Sequence, residues 1–81
     1  MKVPPRPVPA NTTVEQTFTV PGLAASDKVM FINKPTSQRG LGIVGYRVAA
    51  ANTLAITFSN NTRTAITPNA GERYQIGALR T

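Results

Sequence analysis

Val44-Gly45-Tyr46-Arg47-Val48-Ala49-Ala50-Ala51-Asn52-Thr53-Leu54-Ala55-Ile56-Thr57-Phe58 reads as two strands joined by a short turn. On the first arm Val44, Tyr46 and Val48 alternate with Gly45, Arg47 and Ala49; on the second Leu54, Ile56 and Phe58 alternate with Ala55 and Thr57. Extended backbone sends successive side chains to opposite faces, so a period of two collects each apolar set on one side. Ala50-Ala51-Asn52 is short enough to close a hairpin between them.

The same period recurs on either side of this pair. Val14, Gln16, Phe18 and Val20 face one way and Glu15, Thr17 and Thr19 the other, until Pro21-Gly22 turns the chain. Lys28-Val29-Met30-Phe31-Ile32-Asn33 is a continuous apolar run stopped by Lys34-Pro35, which predicts a strand buried on both faces. Beyond Ser59-Asn60-Asn61-Thr62 a short strand is expected around Thr64 to Thr67. Pro68-Asn69-Ala70-Gly71 turns again, and Tyr74, Ile76 and Ala78 line a last strand. Turns every 8 to 12 residues without a 3.6 period predict an all-β fold, a small antiparallel β-sandwich or barrel of about six strands. Phe18, Ile56, Phe58 and Ile76 are its expected core, and Phe31, Tyr46 and Tyr74 also occupy core-type positions.

Residues 1–10 differ in kind. Four of the seven prolines, Pro4, Pro5, Pro7 and Pro9, lie there with Lys2 and Arg6. Proline fixes φ and extends the residue before it, so this segment reads as an extended basic Pro-rich arm on a single domain of residues 11–81. Few core-forming residues fall in the arm. Its removal is therefore expected to leave the stability of the domain unchanged.

The composition narrows function. The chain has 81 residues with nine Lys/Arg, three Asp/Glu and no His or Cys, for a net charge of +6. Without Cys there are no disulfides, thiolate ligands or thiol nucleophiles. Without His the commonest metal ligand and neutral-pH general base is missing. Glu15, Asp27 and Glu72 are too scattered to predict paired acid/base chemistry or a hard-metal site. The expectation is a protein that is not an enzyme and needs no cofactor or metal. No run approaches the ~18 to 20 apolar residues of a membrane span, and Met1 to Pro7 lacks the apolar stretch of a secretory signal. No membrane partner is expected.

Local motifs favour structural readings. Gly40-Leu41-Gly42-Ile43-Val44-Gly45 matches G-x-G-x-x-G, but Tyr46-Arg47-Val48 continues it as a strand where a dinucleotide site needs a helix. These glycines are expected to form a loop or bulge, with Gly45 admitting a close backbone approach. Asn11-Thr12-Thr13 and Asn60-Asn61-Thr62 are sequons that read as turns. Asp27 and Lys28 read as a solvated loop and strand start. The distributed positive charge is the stronger signal, because it suits phosphate backbones, anionic lipid or an acidic protein face. Lys2, Pro4, Pro5, Arg6 and Pro7 in the arm, with Arg39 and Arg63 in turn-rich stretches, are the candidate partner-binding residues.

Val8-Pro9-Ala10-Asn11-Thr12-Thr13-Val14-Glu15-Gln16-Thr17-Phe18-Thr19-Val20 resembles the opening of small tailed-bacteriophage structural proteins. Asn33-Lys34-Pro35, Gly40-Leu41-Gly42-Ile43, Arg47 to Phe58, Thr67-Pro68 and Gly71-Glu72-Arg73-Tyr74 continue the resemblance over about residues 8–79. The loop Ala24 to Lys28 departs from the Gly-Asp loop of those sequences. What the resemblance implies is a virion component, a decoration or cement protein on the outer capsid surface whose partner is the major capsid protein. A station in the neck or tail is the alternative. Assembly in the host cytoplasm and a homo-oligomer, preferably a trimer on a lattice three-fold, would accompany it. Nucleic acid, bound by a small basic barrel, is the second-choice partner.

Overall fold

The computed structural model describes residues 6–80. Lys2, Pro4 and Pro5 of the expected arm lie outside the described residues. The fold is all-β, with β1 (Thr12–Thr19), β2 (Lys28–Asn33), β3 (Leu41–Ala50), β4 (Thr53–Asn60) and β5 (Gln75–Leu79) in two antiparallel sheets. One sheet has the order β1-β4-β3; the other pairs β2 with β5. Five strands form among the described residues where six were expected. The segment around Thr64–Thr67 contributes only the bridge Ile66↔Val8.

The quoted hairpin organises the larger sheet. Its turn places Asn52 at φ 59°, a left-handed conformation that asparagine tolerates better than most residues. The Asn52 side chain accepts from Gly22 N at 2.8 Å, which draws the Pro21-Gly22 turn against it. β4 is the centre of the sheet, and Leu54, Ile56 and Phe58 on its inner face are fully buried. Directly opposed residues of antiparallel strands share a face. Leu54 therefore lies between Phe18 and Val48, Ile56 between Gln16 and Tyr46, and Phe58 between Val14 and Ile43. Val8, Leu23 and Tyr74 complete the buried cluster, with Val29, Ile32 and Ile76 of the smaller sheet packed against it.

Burial of Val8 moves the boundary expected at residue 10. Val8 is 0% exposed and exchanges two backbone hydrogen bonds with Ile66, Val8 N to Ile66 O at 2.7 Å and Ile66 N to Val8 O at 3.0 Å. One step earlier, the buried Gln16 amide spans the backbone of Arg6, accepting from Arg6 N at 3.0 Å and donating to Arg6 O at 2.8 Å. Residues 6–10 are thus part of the domain. Around Val8 the chain is extended, as a bridge requires; buried Val8 and the Gln16 amide hold it against the domain.

The run 28–33 is not buried on both faces. Met30 and Phe31 are exposed, because a two-stranded sheet packs only one side and the ladder shifts register between Val29 and Phe31. Tyr46, on the outer strand β3, is also partly exposed. The glycine expectations resolve unevenly. Gly40 turns at φ 81°, the bulge falls between Ile43 and Gly45, and a side chain at Gly45 would meet Thr57 only at ordinary contact distance.

Candidate partner-binding surface

Three ion pairs engage all three acidic side chains of the protein. On the outer face of the larger sheet Arg47 (β3) meets Glu15 (β1) in a fork, Nε to Oε2 and Nη2 to Oε1 both at 2.9 Å. The pair crosses β4 where Ala55, opposite Arg47 in the ladder, is small and fully buried. Lys34 Nζ reaches Glu72 at 2.7 Å and also donates to the carbonyl and hydroxyl of Thr36. Asp27 was expected in a solvated loop but is 6% exposed. It accepts from Ala24 N at 2.9 Å and from Arg80 at 3.0 and 3.2 Å, closing the turn before β2.

Each of these carboxylates is held below its ordinary pKa range. The first cause is the side-chain hydrogen bond from Arg47 to Glu15, from Arg80 to Asp27 and from Lys34 to Glu72. Tyr74 moves the other way, pushed up to about 12 by burial and then by the Glu72 charge. The lowered carboxyls add stability that is complete above their unfolded values near pH 4 and is lost as pH falls through the folded ones. Raised Tyr74 favours the neutral phenol in the fold, so its contribution holds below about pH 10 and is lost as pH climbs toward 12. The urea midpoint is expected to stay level from about pH 5 to 9.5 and to drop on both sides. A midpoint as high at pH 3 as at pH 7 would show that the ion pairs add nothing.

Nine cationic side chains less the three paired leave six. Lys2 lies outside the described residues; Arg6, Lys28, Arg39, Arg63 and Arg73 are exposed and make no ion pair among the described residues. Arg39 and Arg63, 24 positions apart, are carried to one end of the larger sheet. Asn61 N donates to Gly40 O at 2.9 Å, so the two loops adjoin. Buried Asn60 builds that end. Its amide donates to Val8 O at 2.9 Å and Thr64 O at 2.8 Å, while its oxygen accepts from Thr62 N at 2.9 Å and the Thr62 hydroxyl at 2.7 Å. An asparagine side chain offers two donor hydrogens and one acceptor oxygen with two lone pairs, and here all are used.

Of the arm candidates, Arg6 and Pro7 are exposed and line an open groove of about 390 Å³ with Pro9 and residues 14–18 of β1. The groove flanks the unpaired edge of β1 and holds Glu15 at one side. Among the described residues no group of three or more acidic side chains comes together that could hold a metal ion, and no helix is long and apolar enough to cross a membrane. Sequence reasoning missed the exposure of Phe31, Tyr46, Met30 and Leu79. Their alternation signals a strand but not how many faces of that strand another layer covers. No protein-family model, curated protein or solved structure matches this chain.

Proposed function

We propose that the protein is a non-enzymatic structural component that docks through its basic surface onto an acidic protein face. In the specific form supported by the sequence resemblance, it decorates the outer capsid surface of a tailed-phage head. The major capsid protein is its partner, and copies associate as trimers. The observation that carries the docking reading is the charge distribution. Every acidic side chain is satisfied within the molecule, so Arg6, Lys28, Arg39, Arg63 and Arg73 present positive charge with no ion-pair partner among the described residues. A lattice of repeated acidic patches would multiply such contacts through avidity.

The test is co-sedimentation with purified phage heads. Raising salt from about 0.05 to 0.5 M shortens the Debye length from about 14 to about 4 Å, so capture should slow and weaken. Arg39→Glu together with Arg63→Glu should reduce occupancy by about tenfold at the lower salt, through lost attraction and added repulsion. Occupancy indifferent to both changes would leave the basic surface a solubility feature.

One observation favours a second reading. Phe31 and Tyr46 are exposed on strands, and exposed aromatics beside cations are what single-stranded nucleic acid stacks upon. A gel shift with oligo-dT, steep in salt and without head association, would select it.

A further inference from the structure

The large side chains left exposed are not scattered. Met30 (61% exposed), Phe31 (53%), Val44 (63%), Tyr46 (40%) and Leu79 (53%) all lie on β2, β3 and β5, and none lies on β1 or β4. The Tyr46 hydroxyl donates to Met30 O at 3.2 Å, which places Tyr46 beside β2. Phe31 stands opposite Gly77 in the ladder, and a side-chain carbon at Gly77 would overlap its ring. The ring is therefore laid against the backbone of β5 rather than splayed into solvent. An anchor already held in place loses less entropy on binding. Lys28 sits opposite Leu79 at the rim.

We infer that the outer face of the β2–β5 sheet, with Phe31 as its anchor and Lys28 at its rim, is a docking surface for an acidic protein segment that alternates apolar and carboxylate side chains. Contiguous exposed apolar residues mark interaction sites, and aromatic residues and Met are enriched at such interfaces. Charge decides the occupant. A second copy has no carboxylate side chain to offer, because Glu15, Asp27 and Glu72 are each engaged within their own chain. A partner with its own carboxylates would satisfy Lys28 while its apolar side chains cover Phe31 and Leu79. Nucleic acid fits less well, because Met30 and Leu79 are not aromatic and bases stack on aromatic rings. The inference deepens the docking reading above and rests on its acidic protein partner, but not on the phage head.

The test is amide NMR on the intact labelled chain titrated with the synthetic peptide (Leu-Glu)4. Its counterpart (Leu-Lys)4 and the oligonucleotide dT10 are run in parallel. The acidic peptide should shift Met30, Phe31, Gly77 and Leu79. Phe31→Ser and Met30→Ser should each weaken it about tenfold, and Lys28→Glu likewise. Met30 is more exposed than Phe31, so its variant keeps the test open should Phe31→Ser unfold. Absence of shifts, shifts confined to the loops of Arg39 and Arg63, or equal binding of (Leu-Lys)4 would overturn the inference. So would dT10 shifting the same amides more strongly, or a concentration-dependent dimer that Phe31→Ser abolishes. The two readings fail separately. Peptide binding without retention on heads sinks only the virion assignment, and retention on heads unaffected by Phe31→Ser and Met30→Ser sinks only this face.

Discussion

A chain lacking residues 1–10 is expected to lose most of its stability, although the segment is Pro-rich and only Val8 is buried among its described residues. The deletion removes Val8 from the core and both backbone bonds between Val8 and Ile66. It also leaves the Gln16 amide without Arg6, and Asn60 without one of its two acceptors. Burial of a valine contributes roughly 1.5 to 3 kcal/mol, and each buried polar group left unsatisfied costs roughly 1 to 3 kcal/mol. The total, on the order of 5 kcal/mol, approaches the whole stability of an ordinary small domain. For a domain of this length that is a fall of roughly 20 °C or more in Tm. Removing residues 1–5 alone takes none of these contacts away and serves as the control. Thermal unfolding of the three lengths decides the matter: equal Tm for all would return residues 6–10 to the status of a dispensable arm.

Phe58→Ala is the second large effect. Phe58 is fully buried on the central strand, with Val14 and Ile43 directly opposite on the two flanking strands. Truncation removes the ring and leaves a cavity that neighbours on three strands cannot all relax into. The expected cost is about 3 to 5 kcal/mol, against about twice that for the whole fold. Circular dichroism should show a β-rich parent and a variant that is unfolded or melts tens of degrees lower. A variant as stable as the parent would mean that the cluster around β4 is not the core.

These two predictions differ in where they were visible. Phe58 stands in a period-two run that no other element type fits, so its inward position could be read from spacing alone. Phe18 and Ile56 follow from the same argument, and both are buried. Val8 stands among four prolines, where no periodicity exists to place it. Its burial depends on Asn60 and Ile66, 52 and 58 positions away, whose meeting with it is a long-range event. The candidate site shows the same split. Three acidic residues can neutralise at most three of nine cations, so an uncompensated positive surface was legible by counting. Which cations stay free was not. Arg47 and Arg80 were as eligible as Arg39 and Arg63 until the fold set Glu15 and Asp27 within 3 Å of the first two.

By itself, then, the sequence determined the all-β class, the strand pairs around the Ala50–Asn52 turn, the central core residues and the sign of the surface. Each of these follows from local geometry: alternation along a strand, the backbone preferences of turn residues, and the ratio of cations to anions. The tertiary structure alone decided that the prolyl segment from Arg6 is part of the domain, that the strand expected near Thr64 is a single bridge, and that Phe31 and Tyr46 are exposed. It also brought the loops of Arg39 and Arg63 to one end. The physical reason is that each depends on residues far apart in sequence coming together, or failing to, which no local pattern encodes. A strand's alternation says which side chains share a face but not whether another layer covers that face. The smaller sheet has only two strands, so one of its faces stays open, and Phe31 lies there against Gly77 with solvent beyond it.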